Sequence, residues 1–287
     1  MKPAAEWSDQ EAMPALRAGE FAQIRELAYG AFGLDLRPGK EELVTARLRR
    51  LLRKGGFRSF QDYYRHILAD QTGAALAAMI DALATNHTSF FREADHFAFL
   101  RDEVVPYLAR RDAIDLWCAA CSTGEEVWTL AMVLNEACSH RRIAIEASDI
   151  SNKALAAAGS AEYPLDRCSG IPAPLLARYF ERGKGAEKTY RVAPRIRQQA
   201  RFRRLNLVET FSWGRLFPVI FCRNVMIYFD RQTQEQVVGR LSAALEPGGY
   251  LFVGHAESLT RIAHPLDYVR PAVYRKPPKK EGAWSRL

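Results

Sequence analysis

The chain has 287 residues, of which 48% are hydrophobic and 26% charged. This composition is ordinary for a folded protein and excludes collagen-like repeats and low complexity. The length exceeds the roughly 150 residues usual for one domain, so we expect one large domain or a small one joined to a medium one. A formal net charge of +8 indicates an acidic partner, whether nucleic acid, membrane surface or protein, without choosing among them.

No stretch of the sequence resembles a membrane segment or a leader. Apolar runs fall short of the roughly 18 residues that span a bilayer, and the first residues lack an apolar core preceded by positive charge. We therefore expect no membrane insertion and a cytoplasmic location. An odd number of cysteines in so long a chain also favours reduced thiols over a disulfide framework: Cys118, Cys121, Cys138, Cys168 and Cys222.

The N-terminal part has a helical pattern. From Glu20 to about Leu83, apolar residues recur at spacings of three and four, and glycines stand where helices should stop. Residues 1–84 are therefore predicted to form a small all-helical domain. The apolar stripes comprise Phe21, Ile24, Leu27 and Ala28; Leu43, Leu48, Leu51 and Leu52; Phe60, Tyr63, Tyr64, Ile67 and Leu68; and Leu76, Met79, Ile80 and Leu83.

Beyond residue 112 buried strands alternate with helices. This alternation is typical of a doubly wound, Rossmann-like α/β domain with a parallel sheet, which we place at residues 112–276. Residues 85–111 are predicted as a linker that contributes to the active site, and the Pro- and charge-rich residues 277–287 as a disordered tail. The predicted sheet strands are Ile114 to Ala119, Ile143 to Ala147, Val219 to Cys222 and Tyr250 to Val253.

One segment interrupts the alternation. Tyr190 to Val192 and Ala200 to Arg203 have the composition of short strands and follow a predicted helix, Pro174 to Phe180. We interpret residues 186–204 as a small inserted antiparallel β-subdomain.

The first candidate site is the turn in DLWCAACSTGEEVWTLAM, where a strand runs into a helix. In an open parallel sheet this crevice binds nucleotide-like ligands. A single glycine, Gly124, does not suit a pyrophosphate, whereas Glu125 and Glu126 at the helix start suit a cation such as the sulfonium of S-adenosylmethionine. The alternative is plain helix capping by Ser122 or Thr123 with acidic residues in the first turn.

The second candidate is Asp149, at the end of the second predicted strand in IAIEASDIS. A carboxylate there can accept hydrogen bonds from both ribose hydroxyls of an adenosine. Helix capping is the alternative, although Ser151 or Asn152 could serve that purpose instead.

Two further segments carry polar groups that could face the same crevice. TNHTSFFRE supplies donors from Asn86, Thr88 and Arg92, and its alternative interpretation is an interdomain hinge. VIFCRNVMIYF is a strand that ends in Arg223 and Asn224 and is followed by Tyr228.

Cys118 and Cys121 have the spacing of redox and zinc sites. No second pair of metal ligands with suitable spacing follows, and Cys118 falls in a buried strand, where thiols behave as small hydrophobes. We therefore expect no metal.

These motifs together resemble one family. TNHTSFFRE, CSTGEE, ASDIS, FRRLNL, FCRNVMIYF and LEPGGYLFVGHAES occur in the order seen in the chemotaxis-receptor methyltransferases, the CheR family. The resemblance spans residues 20–275, and RNVMIYF is highly specific. It implies transfer of the methyl group of S-adenosylmethionine to glutamate carboxylates of chemoreceptors for sensory adaptation, leaving S-adenosylhomocysteine.

The resemblance also implies site residues. Arg92 and Tyr228 would stand at the methyl-transfer centre. The cofactor pocket would be lined by Asn86, Thr88, Arg92, Glu126, Asp149, Asn206, Leu207, Arg223 and Asn224.

The sequence departs from the family pattern at two places. Val127-Trp128 stands where members carry Pro-Tyr, which could alter packing around the adenosine. The inserted segment, RGKGAEKTY, lacks the Gly-Pro turn of members that dock a receptor's C-terminal peptide. Docking of such a peptide is therefore in doubt.

A basic face marks the second predicted helix. Arg47, Arg50 and Lys54 are three or four residues apart and, with Arg53, belong to a locally basic stretch. A solvated surface is one interpretation. The resemblance implies the other, docking of the glutamate-bearing helical domain of a chemoreceptor.

Two rival functions fit parts of the sequence. A nucleic-acid methyltransferase would explain the net charge, but the basic helix has no interleaved aromatics for stacking bases, so we expect no nucleic-acid partner. A non-catalytic scaffold that binds cofactor and receptor is the second rival, disfavoured because Arg92, Glu126, Asp149 and Tyr228 are all present. No exposed apolar face suggests a dimer, so we expect a monomer.

Overall fold

The computed structural model describes residues 15–138, 140–183 and 188–279. Contacts divide the chain into a helical unit, up to Thr85 with Tyr228–Asp230, and an α/β unit, Asn86–Ile227 with the residues from Arg231 onward. None of the helices in the described ranges is long and apolar enough to cross a membrane. Most of the predicted disordered tail, residues 280–287, lies outside the described residues.

The helical unit contains α1 (Ala18–Phe32), α2 (Glu41–Gly55), α3 (Phe60–Ala69) and α4 (Ala74–Leu83). Both α1 and α2 end at glycines in the left-handed conformation, Gly33 (φ 69°) and Gly56 (φ 68°), where other residues are strained. Ser59 starts α3 by accepting a hydrogen bond from the backbone N–H of Asp62. The all-helical character predicted for this part of the chain is confirmed.

The buried face of α2 differs from the predicted stripe. Val44, Leu48 and Leu52 are fully buried at a spacing of four residues, whereas Leu43 is 41% exposed. Because Leu43 and Val44 are adjacent apolar residues, the sequence pattern alone could start the stripe at either one. Packing of α2 against the other helices of the unit buries Val44 and leaves Leu43 exposed.

The described strands of the α/β unit are β1 (Ala113–Ala119), β2 (Arg142–Asp149), β3 (Glu162–Pro164), β4 (Phe180–Arg182), β5 (Thr189–Val192), β6 (Ala200–Arg204), β7 (Phe217–Cys222), β8 (Leu245–Phe252), β9 (Asp267–Arg270) and β10 (Val273–Arg275). Its helices are α5 (Ala94–Phe99), α6 (Val105–Leu108), α7 (Glu125–Ala137), α8 (Asn152–Ser160), α9 (Ala173–Tyr179), α10 (Pro194–Arg197) and α11 (Arg231–Ala244).

Seven strands form the main sheet in the order β6-β2-β1-β7-β8-β10-β9. The first five are parallel, and β10 pairs antiparallel with both β8 and β9. The chain proceeds outward from β1 through β2 to β6 and then returns to β7 on the other side of β1. Ligands of open α/β sheets bind at such a reversal, beside the carboxyl ends of the strands. The doubly wound fold predicted from the alternation is confirmed.

A separate three-stranded antiparallel sheet has the order β3-β5-β4. The prediction that Ala200–Arg204 belongs to this appendage was wrong, because β6 pairs in parallel with β2, from Ile145 opposite Ala200 to Asp149 opposite Arg204. A short run of β-forming residues does not specify its partner strand. Three of the five residues of β6 are arginines, which suits the edge of a sheet.

The segment predicted as a linker, residues 85–111, is largely helical. A π-helical turn, Leu100–Val104, joins α5 to α6. Phe97, Leu100 and Val104 are buried in the core of the α/β unit. The segment therefore carries its own packing face, and it brings the residues just before α5 to a defined place beside the sheet.

Candidate active site

The turn after β1 has an unusual backbone. Ser122 (φ 50°) and Gly124 (φ 94°) are both left-handed. A Cβ on Gly124 would lie 2.9 Å from Ala158 Cβ and 2.9 Å from the hydroxyl oxygen of Tyr163, so only glycine fits. The Ser122 N–H donates to Asp149 Oδ2 (2.8 Å), which ties this turn to the end of β2.

Asp149 is 8% exposed at the end of β2. Besides the bond from Ser122, its Oδ1 accepts a hydrogen bond from the Ser151 N–H (2.9 Å). Ser151 itself caps α8, because its hydroxyl accepts from the Ala154 N–H (3.0 Å). Capping therefore does not require Asp149. A carboxylate accepts hydrogen bonds, which is what the two hydroxyls of a ribose require of a partner. The ribose contact of Asp149 stays a prediction.

The two glutamates that start α7 are both neutralised by arginines. Glu125 is fully buried, accepts from the Thr123 hydroxyl (2.6 Å) and forms an ion pair with Arg167. Glu126 accepts from Arg223 Nη1 (2.7 Å). The carboxylates that were expected to attract a cationic ligand thus serve first to hold protein cations.

Arg223 is the centre of a buried charge cluster at the end of β7. Its side chain is 1% exposed and lies between Glu126 (2.7 Å) and Glu93 (2.8 Å). Its Nη2 also donates to the backbone carbonyl of Arg92 (2.6 Å), and the guanidinium stands 5.5 Å from the ring centre of Phe97. A buried charge held by two opposite charges in this way resists rearrangement.

Charges in this cluster shift one another's pKa values. Burial alone would raise the pKa of Glu93, but hydrogen bonds from Arg223 and Asn224 outweigh it and lower that pKa to about 2. Burial disfavours the charged form of Arg223, yet the carboxylates of Glu126 and Glu93 raise its pKa. Both groups are charged at neutral pH.

Arg92 has a different environment from Arg223. Its side chain is 31% exposed, its Nη1 donates to the backbone carbonyl of His87 (2.8 Å), and its Nε lies 4.0 Å from Glu93 Oε1. The flanking residues Phe91 (φ 55°) and Glu93 (φ 57°) are left-handed, so the segment turns sharply here. Its guanidinium keeps donors that these contacts do not use.

The remaining predicted pocket residues lie on loops of the α/β unit. Asn206 and Leu207 follow β6, the strand beside β2, and Asn206 Nδ2 donates to Glu209 Oε1 (2.8 Å). Leu207 is buried, whereas Asn86 and Thr88 are half-buried on the segment that leads to Arg92. The roles assigned to these residues stay predictions.

Tyr228 ends a short helical turn, Met226–Tyr228. By its contacts it groups with the helical unit, where its carbonyl accepts from the Asp35 N–H (2.8 Å). Its assignment to the methyl-transfer centre likewise stays a prediction.

The structure shows what the departure at Val127-Trp128 does. Both residues are buried, and Trp128 Nε1 donates to the hydroxyl of Tyr163 (2.8 Å). That hydroxyl donates in turn to the carbonyl of Thr123 (2.7 Å). The Trp128 indole is therefore connected, through the hydroxyl of Tyr163, to the backbone of the glycine turn.

The cysteines are all free thiols, as expected. Burial raises the pKa values of Cys118 and Cys121 well above the usual range. Cys118 Sγ donates to Glu126 Oε1 (3.2 Å). Thiols that are buried and protonated are poor nucleophiles and metal ligands.

Glu93, His96 and His255 form a cluster that sequence reasoning missed. Their ligand atoms all lie within 4.8 Å of one another, and among the described residues neither ring nitrogen of His96 has a hydrogen-bond partner. Burial, together with the charge of Arg223, lowers the pKa of His96 to about 4. Because Arg223 already balances Glu93, a divalent cation here would be repelled by the guanidinium. The expectation of no metal stays a prediction.

The residues present suit S-adenosylmethionine. Asp149 offers a carboxylate at the strand end, and the buried hydroxyl of Ser122, in the left-handed turn beside it, has no hydrogen-bond partner within the described residues. The turn after β1 has a single glycine, Gly124, and so is not a glycine-rich loop of the kind that binds phosphate.

Comparison with known proteins agrees with this geometry. The family model "CheR methyltransferase, SAM binding domain" matches residues 86–273, and "CheR methyltransferase, all-alpha domain" matches residues 19–84. The chain is 35% identical over 268 residues to the chemotaxis protein methyltransferase of Borreliella burgdorferi, covering 90% of this chain and 94% of that protein. It is 40% identical over 259 residues to chemotaxis protein methyltransferase 2 of Pseudomonas aeruginosa, covering 89% and 92%.

Among solved structures, the N-methyltransferase NodS of Bradyrhizobium japonicum in complex with S-adenosylhomocysteine aligns with 76% of this chain and 97% of that one, at 16% identity and a TM-score of 0.40.

The sheet order, the glycine turn, the acidic end of β2 and the matched SAM-binding domain together define an S-adenosylmethionine-dependent methyltransferase. Two family models account for most of the chain, and relatives match it over nearly their full length. The chain belongs to the CheR methyltransferase family.

Proposed function

We propose that this CheR family member methylates glutamate side chains on the cytoplasmic helical domain of a chemoreceptor, forming methyl esters and S-adenosylhomocysteine. The names of the relatives support methylation in chemotaxis. The choice of a glutamate acceptor rests on one contrast in the site. Arg223 is enclosed by two carboxylates, whereas Arg92 bonds a backbone carbonyl and keeps donors for a third carboxylate.

The chemistry makes few demands on the protein. S-adenosylmethionine supplies an electrophilic methyl group on a sulfonium. A glutamate with a pKa of about 4.3 is already ionised at neutral pH, so no strong general base is needed. The protein must hold the carboxylate oxygen in line with the methyl group. Arg92 would orient the acceptor, and Tyr228 would donate a hydrogen bond.

We place the proposed cofactor pocket at the carboxyl ends of the parallel strands. Asp149 would accept from the ribose, and the network of Glu126, Arg223 and Asn224 would form the opposite wall. Asn86, Thr88, Asn206 and Leu207 are proposed as further lining residues.

The receptor surface is proposed to be the basic face of α2. Arg50, Arg53 and Lys54 are exposed, whereas Arg47 is half-buried and bonds the end of α4, donating to the carbonyl of Leu83 and to Thr85 Oγ1 (2.8 Å). We therefore assign electrostatic steering to the three exposed residues and a mainly structural role to Arg47. We further propose that the protein acts in the cytoplasm and that it is a monomer.

Peptide docking at the small sheet stays in doubt. The strands β4 and β5 are described, but residues 184–187 of the connecting segment lie outside the described residues. No observation among the described residues favours either alternative, the nucleic-acid methyltransferase or the non-catalytic scaffold.

The test is incubation with methyl-labelled S-adenosylmethionine and a membrane fraction that contains chemoreceptors. Label that enters protein as a base-labile ester, released as methanol, is the expected result. Arg92→Ala should abolish labelling while the protein stays folded, and Arg110→Ala, at an exposed arginine of the same unit, is the matched control. Near-normal turnover of Arg92→Ala would contradict the role of Arg92, and absence of ester in the wild type would contradict the proposed reaction.

A further inference from the structure

Glu257 is a buried carboxylate with no assigned role in the proposed methyl transfer. It follows β8, in the segment GHAES, and is 6% exposed. Its two oxygens accept four backbone hydrogen bonds, two at each oxygen. Oε2 accepts from the N–H groups of Gly254 (2.6 Å) and Asn224 (2.7 Å), and Oε1 from those of Met226 (2.7 Å) and Ile227 (3.2 Å).

These bonds join the loop after β7 to the loop after β8. Asn224 is left-handed (φ 58°), a conformation that asparagine adopts more readily than most other non-glycine residues. The approach is close, since a Cβ on Gly254 would lie 2.8 Å from Glu257 Oε2 and 3.0 Å from the Asn224 nitrogen. A side chain at position 254 would push the two loops apart.

The two ends of the β7 loop depend on Glu257 to different degrees. At its start, Arg223 is held by Glu93 and Glu126, and Asn224 Nδ2 also donates to Glu93 Oε1 (3.1 Å). Further along, the N–H groups of Met226 and Ile227 both donate to Glu257 Oε1, directly before Tyr228 in the chain. Loss of the carboxylate would therefore release the end near Tyr228 more than the end near Arg223.

We propose that Glu257 is a positioning residue for methyl transfer, which sets the course of the chain from Asn224 to Ile227, the residues that lead directly to Tyr228. This inference rests on the proposed function, because it assigns Tyr228 to the transfer step. It assigns Glu257 no contact with cofactor or acceptor. The carboxylate acts by accepting backbone N–H donors, of which those of Gly254 and Met226 would otherwise be buried without partners.

The first test is Glu257→Gln, which keeps the shape of the side chain but replaces one acceptor oxygen with an amide that faces two N–H donors. We expect kcat to fall by about 100-fold, the size of effect that a displacement near 1 Å produces. The KM for S-adenosylmethionine and the calorimetric affinity for S-adenosylhomocysteine should stay within about threefold, because Arg223 keeps its own partners. Glu103→Gln, at an exposed glutamate, is the control.

Gly254→Ala provides a second test with Glu257 intact. Its methyl group would lie 2.5 Å from Asn224 Nδ2 and displace the same two loops, so kcat should fall again, here together with a smaller loss of cofactor affinity because Asn224 is a proposed lining residue. Hydrogen exchange at the amides of Asn224, Met226 and Ile227 should quicken in both variants, and this readout needs no methyl acceptor.

The outcomes separate the inference from the proposed function. Unchanged kcat in a folded Glu257→Gln variant, or equal losses of kcat and cofactor affinity, would overturn the positioning role. Lower yield of folded protein with normal kcat would also overturn it, since that is the result of a merely structural role. Absence of methyl ester with wild-type protein would refute the proposed function, while the hydrogen-exchange comparison would still test the loop.

Discussion

Replacing Glu93 with glutamine tests the buried charge cluster directly. Glu93→Gln keeps the size of the side chain and removes one of the two negative charges that enclose Arg223. The carboxylate is 14% exposed, so solvent screens its interaction with the guanidinium only in part. Removal of this charge leaves Arg223 with Glu126 as its only anionic partner in the cluster.

The magnitude follows from the pKa of Glu93. Burial raises this pKa, but hydrogen bonds from Arg223 and Asn224 lower it from 4.5 to about 2. This difference between the ordinary pKa of a glutamate and the pKa of Glu93 in the folded protein corresponds to about 3 kcal/mol of unfolding free energy. Because the folded pKa is the lower one, this stabilisation is present above pH 4.5 and is lost as pH falls towards 2. For a unit of this size, about 3 kcal/mol lowers Tm by roughly 6–12 °C.

The assay is urea unfolding of wild type and Glu93→Gln across a pH series, with Glu103→Gln as an exposed control. The difference in unfolding free energy should be about 3 kcal/mol at pH 7 and should shrink below pH 4.5. Other carboxylates titrate in the same range, but they do so in both proteins and cancel in the difference. A difference that is independent of pH, or a variant as stable as wild type at pH 7, would refute the reasoning.

Three further predictions concern the ligand, the turn and the receptor surface. Asp149→Asn should weaken S-adenosylhomocysteine binding about 10- to 100-fold by calorimetry, since an amide offers one acceptor oxygen instead of two; an unchanged Kd would argue against the ribose contact. Gly124→Ala should lower the unfolding free energy by about 1–3 kcal/mol or more, because φ is 94° and the new methyl would meet Ala158; thermal unfolding measures it. Combined Arg50→Glu and Lys54→Glu should slow receptor methylation and weaken its dependence on salt without changing S-adenosylhomocysteine affinity, and normal methylation would exclude this face as the dock.

Features that depend on neighbouring residues could be predicted from the sequence. The helices of the N-terminal part followed from a spacing of three and four, with stops at glycines such as Gly33 and Gly56. The glycine turn after β1 and the acid at the end of β2 followed from local composition at strand ends. The family itself could be identified because its motifs are contiguous stretches of sequence.

Features that depend on distant partners could not be predicted. Glu126 and Arg223 are 97 residues apart, and nothing local indicates that they pair. Glu93 lies inside the motif TNHTSFFRE, yet its ion pair with Arg223 depends on the folded chain. Glu257 likewise lies in the motif LEPGGYLFVGHAES, but its four backbone hydrogen bonds depend on the course of the loop after β7.

The sequence by itself determined the fold class, the alternation of buried strands with helices in the α/β part, and the residues around the glycine turn, because these depend on short-range periodicity and composition. Tertiary structure decided that β6 pairs with β2, that α2 buries Val44, and which carboxylates neutralise Arg223. The physical reason is that strand pairing and buried ion pairs are chosen by burial and charge balance among residues far apart in the chain.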